Sequence, residues 1–520
     1  MKNYSRRARR AGFLTLGILA AGQVLIFLDT PHEGSTLVSL QAQTIRPARP
    51  KKTDQSAHDT WEVISLDGQR IGYTNSTTQT ITRNGQTIIR TNGEMHMTIK
   101  RFGKQLKMQT LSETEETRKG DLLSFSLEVR NPPASPNRTV GRVEGNRLYI
   151  TSTTAGRTTK TFKHWNPGVK SPDYQVRLLR ESMMKPGETR SFRAFFPMLN
   201  DAQKVILAAD EYRFVKMFDG KMRKLLKIRV TQSNLPETRA FLDAKGNALR
   251  TETDMLGKLL VTYQVSAAEA LKAIEGKELD FAVISMVQVT PIRGGHRTKR
   301  VVYRLTTRGQ DSTKFVPAGP TQKIKKIDED TLELTVTVLP VPQILKKVPA
   351  SPEFLAATRF LQCRDPRVVE HARRAAAGQT NPAKVAVQME KYVNRKLVKK
   401  NFSTALASAA EVAKNLEGDC TEHAVLLAAM LRARKIPSRI AVGLVYMEHL
   451  ASFGGHMWTE AWLDGKWIPL DATLGRGGIG AAHIKLSESS FADDAPSPVT
   501  AFLPLMKILG KLQIEVVKAE

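Results

Sequence analysis

Residues 417–430 read EGDCTEHAVLLAAM, and they predict the start of a central helix in the C-terminal part of the chain. Asp419 is a typical N-cap residue, and Glu422 three positions later completes a capping box. The pattern therefore predicts a helix that begins at Cys420. From Ala424 to Leu431 every residue is apolar, which is typical of a helix that is buried on all sides.

The chain has two cysteines, Cys363 and Cys420, so a disulfide-rich scaffold is excluded. A thiol at the first helical position meets the positive end of the helix dipole, which lowers its pKa and favours the thiolate. Cys420 is therefore either a nucleophile or an ordinary structural cysteine, and this segment alone does not decide between them. Cys363, in FLQCRDP, is expected to be unpaired.

Residues 453–474 read FGGHMWTEAWLDGKWIPLDATL and predict a β-hairpin. Asp464-Gly465 is a sequence that favours a two-residue hairpin turn, and such a turn fixes the register of the two strands. In that register Trp462 pairs with Trp467, and the pairing continues down both strands away from the turn.

The same register brings a histidine close to a carboxylate. It places Trp458 opposite Asp471, and because side chains alternate along a strand, His456 shares the face of Trp458. Asp471 then becomes the diagonal neighbour of His456, within side-chain reach. With Cys420 these residues predict a catalytic triad in which His456 is the base and Asp471 orients it. The backbone N–H of Cys420 is expected to be one oxyanion donor.

These motifs resemble the transglutaminase-like superfamily of papain-like thiol enzymes. The matching features are Gly-Asp-Cys at a helix start, Ile-Pro-x-Arg before a strand, His-x-Trp-x-Glu, and Trp-x-x-x-Asp; they span about 365–485. The resemblance implies that Cys420 is the nucleophile, His456 the base and Asp471 the orienting acid. It also implies acyl transfer through a thioester, by a cysteine acyltransferase or a cysteine peptidase or amidase acting on proteins or peptides.

The sequence departs from the animal enzymes of that superfamily in one respect. They carry an oxyanion-donating tryptophan upstream of the cysteine, whereas no tryptophan lies shortly before Cys420 here. The second oxyanion donor is therefore unidentified, and protein crosslinking is not carried over. Hydrolysis remains an alternative to transfer, and so does a catalytically idle transglutaminase-like scaffold in an envelope binding protein.

A metal site receives less support from the sequence. His423 lies one turn after Cys420 and is interpreted as a structural histidine rather than as part of the cleft. Cys420, His423 and His456 offer three possible ligands, but no fourth ligand stands out. We therefore expect no cofactor and no metal.

The remainder of the chain predicts an α+β protein in which an antiparallel β-rich region precedes the papain-like domain. Between residues 60 and 289 short alternating strands are punctuated by turns, including Asn-Gly turns at 84–85 and 92–93, and indicate one or two sheets of the sandwich or half-barrel kind. The predicted units are a signal peptide or transmembrane anchor (1–29), a linker (30–56), the β-rich region (57–290), a connecting β-strand region (291–350) and the catalytic domain (351–520, core 400–480).

The N-terminus and the charge indicate where the protein works. Five basic residues among the first ten precede a moderately apolar stretch, 11–28, as in an export signal or an anchor, and cleavage remains open. We expect an extracytoplasmic protein, in the periplasm or cell envelope, either membrane-anchored through this segment or secreted. The net charge of +29 favours anionic envelope polymers as further partners. Nucleic acid is not expected, because no nucleic-acid-binding motif accompanies the charge.

Overall fold

A computed structural model describes residues 58–520, with gaps at 234, 275–278, 344–345, 347 and 403–405. The predicted signal or anchor and the linker lie outside the described residues. Within the described ranges, no helix combines the length and the apolar character needed to cross a membrane.

The N-terminal half is a single antiparallel sheet of fourteen strands, rather than a pair of stacked sheets. Strands β1 to β8 follow one another in space, β1 also pairs with β14, and the order then runs backwards to β9. The strands are β1 (His58–Leu66), β2 (Gln69–Arg83), β3 (Gln86–Arg101), β4 (Lys104–Thr117), β5 (Leu122–Arg130), β6 (Asn137–Glu144), β7 (Arg147–Thr154), β8 (Arg157–His164), β9 (Thr189–Phe196), β10 (Asp201–Lys216), β11 (Met222–Gln232), β12 (Thr238–Leu242), β13 (Ala248–Met255) and β14 (Lys258–Val265).

One predicted turn in this sheet is wrong. Asn84-Gly85 does form a turn with positive φ angles, but Asn92-Gly93 lies inside the continuous strand β3. Neighbouring strands pair with both of these residues on each side, and buried and partly buried positions alternate through them without interruption. The next turn comes at residues 102–103. Tertiary pairing on both edges thus overrides the local turn preference of Asn-Gly.

The remaining strands form two smaller sheets, and three of these strands lie in 291–350, where the sequence predicts a connecting β-strand region. The five-stranded sheet has the order β15-β20-β19-β22, with β21 also paired to β20, and the four-stranded sheet has the order β17-β18-β16-β23. The strands are β15 (Val287–Gln288), β16 (Arg300–Thr307), β17 (Gln322–Lys326), β18 (Thr331–Thr337), β19 (Ser438–Met447), β20 (Ser452–Leu463), β21 (Lys466–Leu470), β22 (His483–Ser489) and β23 (Leu512–Ala519).

Most of the helices lie in the C-terminal half of the chain. They are α1 (Tyr174–Glu181), α2 (Ala267–Ala270), α3 (Phe281–Ile284), α4 (Pro366–Ala376), α5 (Pro382–Lys396), α6 (Ala409–Asn415), α7 (Cys420–Ala433) and α8 (Leu503–Ile508). Five short 3₁₀ segments occupy Gly295–Arg297, Ser312–Lys314, Pro352–Phe354, Glu448–Leu450 and Pro498–Phe502.

Helix α7 is the centre of the C-terminal domain. Every residue from Cys420 to Arg432 is buried, in agreement with the apolar run in the sequence. Thr459 in β20 donates its hydroxyl to the carbonyl oxygen of Ala424 at 2.9 Å, which ties the helix to the five-stranded sheet. The chain is therefore a large N-terminal antiparallel sheet followed by an α+β domain built around one buried helix.

Candidate active site

The start of α7 has the geometry that the sequence predicts. The Asp419 carboxylate accepts the Thr421 N–H at 3.0 Å, and Glu422 accepts the Asp419 N–H at 3.0 Å, so the capping box is complete. Gly418 precedes it with φ 146°, and a Cβ there would lie 2.3 Å from the Cβ of Glu422. Only glycine fits this position. The Gly-Asp-Cys sequence is therefore a structural requirement for placing Cys420 at the helix start.

The hairpin β20–β21 has the predicted register. Trp462 pairs with Trp467, and the ladder continues to Thr459 opposite Leu470. Asp464 and Gly465 both have positive φ angles, as a type I′ turn requires.

This register brings two of the three predicted catalytic residues together. The Nε2 atom of His456 lies 2.9 Å from Oδ2 of Asp471, and both side chains are at most 2% exposed. An ionised carboxylate only accepts hydrogen bonds, so Nε2 of His456 is the donor in this pair. In the neutral imidazole the lone pair then lies on Nδ1, which is the atom that can act as a base.

Asp471 is held as an anion by its surroundings. Burial by itself raises the pKa of Asp471, but the charge and hydrogen bonds of His456 and His483 outweigh it and hold this pKa well below the usual range. The carboxylate therefore stays ionised at neutral pH, which is what an orienting acid needs.

Cys420, the third predicted residue, is the first residue of α7 and is 0% exposed. It is not part of a disulfide. Thr459, in the same strand as His456, bonds the carbonyl oxygen of Ala424 near the start of α7. The structure thus places a buried thiol at a helix N-terminus, on a helix that packs against the strand of His456.

Two residues around Asp471 were missed by sequence reasoning. His483, at the start of β22, places its Nε2 3.1 Å from the same Asp471 oxygen as His456. Glu390, buried in α5, accepts the N–H groups of Asp471 at 3.0 Å and of Gly478 at 3.1 Å. Burial raises the pKa of Glu390 to about 8. A signal for Glu390 was available, because a glutamate on the apolar face of AKVAVQMEKYV is a polar residue at a core position.

His423 has the structural role that the sequence favours. Its Nδ1 donates to the carbonyl oxygen of Asp419 at 2.6 Å within the first turn of α7. Burial, the largest effect, and the nearby Lys400 charge lower the pKa of His423 to about 3. The imidazole is therefore neutral at physiological pH.

The ligand atoms of His456, Asp471 and His483 lie within 4.8 Å of one another. Two histidines and one carboxylate are a donor set that divalent cations accept. Both histidine Nε2 atoms, however, already face the same Asp471 oxygen at hydrogen-bond distance. The arrangement is explained by these hydrogen bonds, and we assign no metal role to it.

Two of the recognised motifs meet in a buried ion pair. Arg439, from Ile-Pro-x-Arg, donates to Glu460, from His-x-Trp-x-Glu, at 2.6 Å. Lys485 approaches the same carboxylate at 3.1 Å, and the Arg439 guanidinium lies 4.3 Å above the ring of Trp467. These contacts fasten β19, β20, β21 and β22 together, so they hold the strand that carries His456.

Residues 370–472 match the family model of the transglutaminase-like superfamily. This part of the chain is therefore a transglutaminase-like domain, and it contains the start of α7 and the whole β20–β21 hairpin. The sequence matches no curated protein.

Three solved structures are similar to parts of the chain. A candidate cysteine protease from Cytophaga hutchinsonii is 18% identical with a TM-score of 0.26, over 43% of this chain and 85% of its own. A β-barrel-like protein with a domain of unknown function from Brucella abortus is 9% identical with a TM-score of 0.31, over 41% of this chain and 98% of its own. A candidate protease from Parabacteroides distasonis is 13% identical with a TM-score of 0.19, over 65% of this chain and 64% of its own. All three TM-scores are below 0.5, so these likenesses carry no functional conclusion.

Proposed function

We propose that this protein is an extracytoplasmic thiol enzyme that transfers or hydrolyses acyl groups at amide bonds of proteins or peptides. The observation that carries the proposal is the buried His456–Asp471 hydrogen bond, which forms inside a transglutaminase-like domain whose buried helix begins with Cys420. In this proposal Cys420 is the nucleophile, His456 the general base and acid, and Asp471 the residue that fixes the tautomer of His456.

The reaction proceeds in two balanced halves. The Cys420 sulfur attacks the carboxamide carbon, and the proton taken up by His456 Nδ1 is delivered to the departing ammonia or amine, which leaves a thioester. Water or an amine then attacks the thioester carbon, His456 removes its proton, and the thiol is regenerated. The backbone N–H of Cys420 lies at the N-terminus of a helix, and we propose it as one donor to the oxyanion.

The extracytoplasmic location is proposed from the basic, then apolar, start of the sequence. The net charge of +29 supports anionic envelope polymers as an additional partner class. Fractionation of cells that express the full chain tests this part, because a protein recovered only in the cytosol contradicts it.

One observation favours the alternative of a catalytically idle scaffold. Cys420, His456 and Asp471 are each at most 2% exposed, so a substrate reaches them only after some part of the protein moves. An idle domain needs no such movement, whereas an enzyme does.

The experiment that separates the two uses a glutamine-containing peptide and a biotinylated primary amine with the full chain and a Cys420→Ala variant. An enzyme forms an acyl adduct that mass spectrometry maps to Cys420, and the variant forms none. Cys363→Ala is the matched control and retains the adduct. Absence of any adduct in the wild-type protein, combined with a Cys420 thiol that alkylates no faster than Cys363, contradicts the proposal.

A further inference from the structure

The tip of the β3–β4 hairpin reaches from the N-terminal sheet into the transglutaminase-like domain. Its turn is Phe102-Gly103, with φ angles of 47° and 72°. The carboxylate of Asp280 accepts the N–H of Phe102 at 3.1 Å and that of Gly103 at 2.7 Å. Both N–H groups of the turn are therefore bound by one side chain, which fixes the tip in place.

Arg101, the last residue of β3, places its guanidinium on the carboxylate of Asp419. The side chains of this ion pair are 1% and 0% exposed. The guanidinium also lies 5.6 Å from the centre of the Phe402 ring, and Phe102 packs on the same ring at 5.2 Å. A strand of the N-terminal sheet thus contacts the N-cap residue that immediately precedes Cys420.

The first turn of α7 contains two buried carboxyl groups, and this makes the contact electrostatically important. Burial, and then the nearby charge of Asp419, raise the pKa of Glu422 well above its ordinary value. An anion buried next to the nucleophile disfavours a second negative charge on the thiol, unless a cation compensates it.

The same hairpin tip is connected to the strand of the proposed base. Asp280 caps α3, and the chain then forms β15, which pairs Val287 with Phe453 and Gln288 with Ser452 at the start of β20. His456 follows three residues after Phe453 on that strand. The β3–β4 tip is therefore joined by one short segment to β20 and by Arg101 to α7.

We propose that Arg101 is a positioning residue of the active site, supplied by the N-terminal sheet, and that it neutralises Asp419 so that Cys420 can ionise beside it. This inference rests on the proposed function, because it assumes that Cys420 is the nucleophile. It gives the N-terminal sheet a role in the chemistry in addition to any role in binding.

Other titratable groups also face the first turn of α7 and enter the prediction. They are Glu422 and His423 in the turn itself, Lys400 from the segment after α5, and Asp471 with His456 from the hairpin region. None of them is altered in the variants below, so a change in reactivity reports on Arg101 and Asp419.

The test compares iodoacetamide alkylation of Cys420 across pH in the full-length chain and its Arg101→Gln variant. Without the guanidinium, alkylation at pH 7 is expected to slow by roughly tenfold, and its midpoint is expected to move upward by about one pH unit. Arg90→Gln is the matched control: it removes an arginine that pairs with Glu115 at 2.6 Å from the same strand β3. It should leave the Cys420 profile unchanged.

A second variant separates charge from packing and also covers the case in which Arg101→Gln does not fold. In the double variant Arg101→Gln/Asp419→Asn, asparagine still caps the helix but carries no charge. Recovery of the wild-type alkylation profile supports the inference. A double variant as slow as Arg101→Gln overturns it, and so does an Arg101→Gln profile equal to wild type. If wild-type Cys420 itself reacts no faster than Cys363, the proposed function fails instead.

Discussion

A cysteine lies near each end of helix α7, but only Cys420 belongs to the helix. Cys420 is its first residue, whereas Cys363 lies near Arg432 in its last turn, close enough for the two groups to affect each other's pKa. A helix of 14 residues is about 21 Å long, so the two cysteines lie toward opposite ends of it. Neither is disulfide-bonded.

The two thiols are almost equally buried, since Cys363 is 6% exposed and Cys420 is 0% exposed, but their surroundings differ. Burial raises the pKa of Cys363, and the nearby Arg432 offsets this only in part. Its sulfur lies 4.0 Å from the carbonyl oxygen of Leu355, a contact that suits a neutral thiol. Cys420 instead lies at a capped helix N-terminus, and its helix packs against the strand of His456, which bonds Asp471. The groups that surround each thiol, rather than its exposure, therefore distinguish a structural thiol from a candidate nucleophile.

The largest effect is expected when the Cys420 thiol is removed, and no effect is expected when the Cys363 thiol is removed. Cys420→Ala should reduce any acyl-transfer or hydrolysis rate by at least about 10³-fold, because the covalent intermediate cannot form. Cys363→Ala should retain the wild-type rate. Rates measured with the same glutamine-containing peptide check both, and equal losses in the two variants would erase the distinction.

Asp471→Asn should give the next largest effect. The amide keeps the shape of the carboxylate but cannot stabilise the imidazolium of His456, so we expect a loss of about 10²- to 10⁴-fold in kcat. Steady-state kinetics measures the loss, and the circular dichroism spectrum should remain native. A variant with full activity would show that the His456–Asp471 pair plays no part in catalysis.

Local rules predicted most of this end of the helix from sequence. Asp419 and Glu422 fix the helix start, and the Asp464-Gly465 turn fixes the register that brings His456 to Asp471. These arguments succeed because each depends on residues fewer than 20 positions apart.

The remainder depends on contacts between distant parts of the chain. Arg101 and Asp419 are 318 positions apart, and Glu390 reaches the Asp471 backbone across 81 positions, so no local pattern reveals either contact. The prediction of a turn at Asn92-Gly93 is wrong for the same reason, because pairing with the strands on both sides of β3 determines the conformation of these residues.

The C-terminal end of α7 should govern stability rather than chemistry. Arg432 is buried and donates to the carbonyl oxygens of Ala356, Ser438 and Ser490 at 2.7–2.8 Å. Arg432→Met leaves these acceptors buried without a donor, so the free energy of unfolding should fall by about 3–5 kcal/mol. Urea denaturation measures the change. Arg434→Met, at an exposed position two residues on, is the control and should have little effect.

Glu390→Gln should change the free energy of unfolding by an amount that depends on pH. Its pKa of about 8 exceeds the usual 4.5, so the folded state holds a proton that the unfolded state releases. The stabilisation that this bound proton gives to the folded state is fully present below about pH 4.5. It is lost as pH rises toward 8, and the free energy of unfolding falls by up to about 1.4 kcal/mol per pH unit. In Glu390→Gln this loss should disappear, while the amide oxygen still accepts the Asp471 N–H.

Glu62→Gln provides the comparison for that experiment. Glu62 is also buried, with a pKa raised to about 7 by burial, but it lies in the N-terminal sheet and bonds Thr74 at 3.0 Å. Both variants should flatten the pH dependence of the unfolding free energy, measured by denaturation at pH 5, 7 and 9. A Glu390→Gln curve parallel to wild type would contradict the assignment of a protonated Glu390.

The central claim is that Cys420 is an activated nucleophile, and the two cysteines allow it to be tested within one molecule. Brief iodoacetamide labelling of the native chain between pH 5 and 9, followed by peptide mass spectrometry, gives the alkylation rates of Cys420 and Cys363 side by side. We expect Cys420 to be labelled at least tenfold faster than Cys363 at pH 7, and we expect His456→Ala to abolish the difference. Equal rates, or faster labelling of Cys363, would contradict it.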